Sequence, residues 1–174
     1  MYPYNRKTQL YHVPIRAKER TDTTHSPNLS TDRRLQELLV LAGQEAEQLA
    51  QKYTALLQEE ALAEAHDIIK TMETDGKKHQ RILREVLFII FSDTAEDLPA
   101  EMPETETETV GGAALLEELL LTELDDIPFY RSLLSAMEED DLWDLLFEII
   151  TDKQNHTAAL NHLYAKYFTK TTGQ

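Results

Sequence analysis

Apolar residues recur in a four-three-four-three step through two long stretches of this chain, about 31–91 and 113–168. That period belongs to helices that bury one seam each. Breaks near Gln58–Ala63 and Glu138–Asp141 divide each stretch, which predicts four helices in two hairpins. The first seam runs from Leu35 through Ala46 and Tyr53 to Leu56, and the second from Ala65 through Gly76 and His79 to Ile90. The third steps through Leu116, Leu120, Glu123, Ile127, Tyr130, Leu134 and Met137. The fourth runs from Leu142 through Lys153 and His156 to Tyr167. Five glycines and six prolines in 174 residues are too few for the turns of an all-β fold. The expected architecture is an all-α four-helix bundle spanning 31–168.

The flanking segments are of another kind. Residues 92–112 carry seven acids and no base, with Pro99 and Pro103, and read as a solvated crossover between the hairpins. At about 3.3 Å per extended residue such a segment can run the length of a bundle. Residues 1–30 lack a helical period, and 1–20 hold five bases against Glu19, with Tyr2, Tyr4 and Tyr11. This is expected to be a basic extended arm, loose by default; its sharper reading is docking on an acidic surface, its own or a partner's. Residues 169–174 form a tail. The net charge of −15 opposes nucleic-acid binding, and no apolar run is long enough for a membrane span. With no cysteine there is no disulfide, thiolate metal site or Cys nucleophile. The N-terminus lacks a basic-then-apolar signal segment, so a cytoplasmic protein is expected.

Four seam positions are polar: His79, Glu123, Lys153 and His156. They also expose a repeat. A shift of 77 carries Ala46 to Glu123, Tyr53 to Tyr130, Asp75 to Asp152, Gly76 to Lys153 and His79 to His156. A duplicated helical hairpin accounts for this better than coincidence.

The layout resembles the ferritin-like, rubrerythrin-related diiron-carboxylate bundles, particularly small bundle proteins of spore-forming bacteria. In that family each hairpin supplies a Glu, a Tyr two turns later, and a Glu-x-x-His on its next helix. Glu123, Tyr130 and His156 match in the second hairpin, Tyr53 and His79 in the first. The resemblance implies the ferritin-like topology with one long crossover. It also implies that Ala46, Gly76 and Lys153 stand where three of the four carboxylate ligands would be. Two irons need about four carboxylates, and here one ligand position has become a cation. Asp75 and Asp152, one residue before the expected glutamates, are expected to point off the seams. Tyr53 and Tyr130 are expected as core aromatics with bonded hydroxyls beside the old site.

The resulting expectation is a non-enzymatic ferritin-like protein with a decayed diiron site, serving structure or a partner protein or self-association, with no cofactor. A core ion pair, Glu123 with Lys153, would replace the metal. The alternative is a rubrerythrin-type metal-binding oxidoreductase or iron-handling protein holding iron or another divalent metal. Its remnant set would be His79, Glu123 and His156, two histidines and a carboxylate. A third reading is a spore-coat or assembly component recruited through the arm. No Gly-x-Ser-x-Gly, phosphate loop or His-Glu-x-x-His offers another chemistry.

Overall fold

A computed structural model describes residues 29–91, 111–137 and 140–169. These form four α-helices, with no strand among the described residues: α1 (Leu29–Leu56), α2 (His66–Ile90), α3 (Gly112–Ala136) and α4 (Asp140–Tyr167). The first 28 residues, most of the acidic segment and residues 170–174 lie outside the described part, as do the expectations placed on them. α1 begins at Leu29, so the last two residues assigned to the arm are helical.

Between α1 and α2 the chain tightens rather than opening into a loop. The amides of Gln58 and Glu59 donate to the carbonyls of Ala55 and Leu56, three residues back. A 3-10 turn, Glu60–Ala65, then buries Leu62 and Ala65. This turns the chain while keeping its apolar residues in the core.

Two apolar clusters fill the bundle. One gathers Leu39 and Ala42 of α1, Val86 of α2, Tyr130 and Leu133 of α3, and Leu146 and Ile149 of α4. The other gathers Leu49 and Leu56, Ile69 and Met72, Leu116 and Leu119, and Leu160 and Leu163. Hence α1 and α4 run from the first cluster to the second, and α2 and α3 run back. Each helix passes a middle level between the clusters, and there the polar seam residues fall. The seam expected for α3 is turned slightly. Leu119, Asp126 and Leu133 are deeply buried, whereas Leu120 and Ile127 are only partly covered. The step Leu119, Glu123, Asp126, Tyr130, Leu133 has the same four-three period, and α3 offers apolar residues on both tracks. No described helix is long and apolar enough to cross a membrane.

Gly76 of α2 packs directly against Ala50 of α1. A Cβ on it would lie 3.3 Å from the Ala50 Cβ and 3.5 Å from the Ala50 backbone. Neither atom can swing aside, so the packing works against the ~1 kcal/mol that alanine normally gains over glycine inside a helix. Gly76→Ala is expected to lower the midpoint of urea denaturation, and adding Ala50→Gly should recover it. A midpoint that rises with Gly76→Ala alone would show that the helices separate freely.

Candidate functional site: a polar layer in the bundle core

Lys153 is 1% exposed in the middle of α4, where an ammonium is tolerated only if its charge and its three N–H donors are matched. Its Nζ donates to Glu123 Oε2 at 2.9 Å and to Asp126 Oδ2 at 2.8 Å. The Tyr130 ring lies 5.4 Å from the same nitrogen and adds a cation–π contact. Glu123 and Asp126 are each 1% exposed, three residues apart on one face of α3. Glu123 Oε1 accepts the Tyr53 hydroxyl at 2.7 Å. Burial pushes the Lys153 pKa down, but Glu123 and Asp126 outweigh it and the ammonium is held well above its ordinary range. Burial likewise raises Glu123, yet Lys153 and His156 bring it down to about 2 from its ordinary 4.5. Both shifts express one attraction and are not counted twice.

His156 lies between two carboxylates. Its Nδ1 is 3.1 Å from Glu123 Oε1 and its Nε2 is 3.1 Å from Asp75 Oδ2. Carboxylates only accept, so both contacts are satisfied when the ring is an imidazolium. Burial lowers its pKa, and Glu123 with Asp75 raises it further, for a net upward shift. His79, its repeat mate, behaves differently. Its Nε2 is 3.0 Å from Asp152 Oδ2. Burial there prevails over Asp152, with Lys153 and His156 adding repulsion, and the pKa falls. The two rings stand 6.0 Å apart.

Asp75 and Asp152 lie off the seams, as the sequence reading has them, but make contacts it did not foresee. Each crosses to the opposite hairpin, Asp75 to His156 and Asp152 to His79, so the 77-residue shift relates the two pairs to each other. They sit at the α2–α4 flank, about 20% exposed, where a residue one step from the seam still reaches the facing helix. Lys78 ties this flank together, with Nζ 2.7 Å from Asp152, 3.0 Å from Glu148 and 3.2 Å from Asp75. Sequence reasoning also missed Asp126, hidden by the apolar alternative at Ile127. Likewise it missed Glu73, a 3% exposed acid between Lys70, Lys77 and Thr54. The two lysines, three and four residues away on α2, bring Glu73 down to about 2. Lysines at those spacings were the available signal. His66 and His162 are exposed, as expected for solvated imidazoles.

Protein-family models, curated proteins and solved structures give no match to this chain.

Its chemistry therefore rests on the layer itself. Ala46 and Gly76 offer no ligand atom, and the Lys153 ammonium occupies the space between Glu123 and Asp126. The Cβ contact at Gly76 leaves no ready room for a carboxylate there. Both nitrogens of His156 and Nε2 of His79 already face carboxylates. Among the described residues, no three His, Asp or Glu side chains are placed to hold a metal ion. The residues present do not fit a diiron centre. What they form is a closed charge set: Lys153 and, in its protonated form, His156 against Glu123 and Asp126, with Tyr53 and Tyr130 beside them.

Proposed function

We propose that this protein is a non-enzymatic ferritin-like bundle whose diiron site has decayed, kept for a structural or partner-binding role. The observation that carries the proposal is Lys153, a buried ammonium bonded to Glu123 and Asp126 where a cation is needed to balance buried carboxylates. Topology supports the ferritin-like part. α2 ends at Ile90 beside the first apolar cluster, and α3 begins at Gly112, whose Cβ position lies against Glu59 at the other end. The intervening chain therefore joins opposite ends of the bundle, as one long crossover does. The reciprocal Asp–His pairs support an origin by duplication of one hairpin.

Elemental analysis of the full chain purified without chelator tests this reading. The expected result is far less than one iron, manganese or zinc per chain, and no rise in melting temperature when Fe(II), Mn(II) or Zn(II) is added. A native-state ligand would raise it by mass action. Two irons per chain would defeat the proposal in favour of the oxidoreductase reading.

A further inference from the structure

Among the described residues, large apolar side chains are exposed on α2 (Ile68, Phe88 and Ile89) and on α3 and α4, where there are four: Leu121 (44%), Leu124 (45%), Trp143 (43%) and Phe147 (50%). Trp143 and Phe147 are one turn apart and stack with ring centroids 5.4 Å apart. The ion pairs of the neighbouring helices fix where these residues face. Asp152 and Glu148 mark the side of α4 turned to α2, and Glu118, bonded to Lys52, marks the side of α3 turned to α1. At ~100° per residue, Trp143 lies about 180° around α4 from Asp152, and Leu124 about 120° around α3 from Glu118. Both fall on the outer groove of the second hairpin, above Ile127 and Ile150 at the margin of the core.

The repeat provides an internal control. A shift of −77 carries Leu121, Leu124, Trp143, Phe147 and Ile150 to Gln44, Glu47, His66, Lys70 and Glu73. The α1–α2 groove that contains Glu47 is lined by Ala50 and by polar side chains, among them Gln51, Thr54, Lys77 and Gln80. The hairpin fold is thus built equally well with a polar groove. The hairpin fold does not itself call for the exposed apolar residues of α3 and α4, and a cover would account for them.

We infer that the cover is the chain's own N-terminal segment, residues 2–20, lying in the outer α3–α4 groove. Charge favours it. The chain is −15 overall and residues 1–20 contribute +4, so the remainder carries −19. Exposed Glu117, Asp125 and Asp144 neighbour the apolar residues, against Arg131 as the base. The segment brings apolar groups to match, Leu10, Tyr11, Val13 and Ile15, between its two basic clusters. Reach favours it too. α1 starts at the end of the bundle where α4 starts, in the same apolar cluster as Leu142. Eight residues, 21–28, link that segment to Leu29, and at about 3.3 Å each they exceed the ~10 Å between packed helices. This goes beyond the decayed-site reading and does not depend on it.

Trp143 is the chain's only tryptophan, so its fluorescence reports on the groove directly. Acrylamide quenching is measured on the full wild-type chain and on a full-length variant carrying Arg6→Glu, Lys7→Glu, Arg16→Glu, Lys18→Glu and Arg20→Glu. A second variant, Leu10→Ser with Tyr11→Ser, keeps the charge and removes apolar contact. All these substitutions lie outside the described helices. The expected result at low salt is quenching roughly twofold weaker in the wild type than in either variant, with the wild type approaching them in 1 M salt as charge attraction is screened. The differences should be independent of protein concentration. Equal quenching in all three proteins overturns the inference. So does shielding that disappears on dilution, which would make a second copy the occupant.

Discussion

Replacing Lys153 by methionine, which fills similar volume without charge, is expected to lower folding stability by roughly 3–5 kcal/mol at neutral pH. The loss is not the worth of a salt bridge. It is the cost of leaving Glu123 and Asp126, each 1% exposed, facing one another with the ammonium gone. Without the ammonium that holds it down, the Glu123 pKa should rise. Removing the pair alone is no remedy: Lys153→Met with Glu123→Leu leaves Asp126 buried without the ammonium and takes the acceptor from the Tyr53 hydroxyl and His156 Nδ1. The companion that should regain most of the stability is Lys153→Met, Glu123→Gln, Asp126→Asn, which deletes all three charges and keeps an amide oxygen for Tyr53. Urea unfolding of the three proteins checks this. A loss from Lys153→Met of under ~1 kcal/mol would mean that water reaches the site.

How much of this was legible follows from particular residues. The four helices and three of their seams follow from leucine and alanine spacing, because burial of one stripe is the strongest demand on a helix in a bundle. His79, Glu123, Lys153 and His156 stood out because each interrupts such a stripe. Asp126 did not, because α3 is apolar on two adjacent tracks and the period alone fits either. The contacts of Asp75 and Asp152 were missed for a different reason. Seam arithmetic describes a helix against one centre, whereas these residues face a neighbouring helix whose position only tertiary packing sets. The pairing of Asp75 with His156, and of Asp152 with His79, joins residues 81 and 73 positions apart. Nothing local encodes it. The reciprocity was nonetheless implicit in the 77-residue repeat, since hairpins related by a two-fold make their contacts in matched pairs.

Acid is expected to weaken the fold through Glu123 more than through any histidine. Its pKa is about 2 in the folded protein against an ordinary 4.5. A carboxyl shifted downward stabilises fully above its unfolded value, and that contribution is lost as pH falls toward its folded value. Between pH 5 and pH 2 the loss comes to about 3 kcal/mol. Asp152, brought down to about 2 by His79 and Lys78, and Glu73, also about 2, act in the same direction. The histidines oppose each other. His156, shifted up, adds stability that is whole below 6.5 and disappears as pH rises through its folded pKa. His79, shifted down, adds stability that is whole above 6.5 and disappears as pH falls through its folded pKa. The two act on opposite sides of pH 6.5, so stability should be greatest near that pH, decline above it as His156 loses its proton, and drop steeply below 4.5. In Glu123→Gln the protein starts weaker, but its acid limb should be shallower than the wild type's by about 3 kcal/mol between pH 5 and 2. Urea midpoints with constant slopes across that range provide the comparison. Parallel acid limbs in the two proteins would place the titrating carboxylates elsewhere, and the closed charge set around Lys153 would lose its part in holding the bundle.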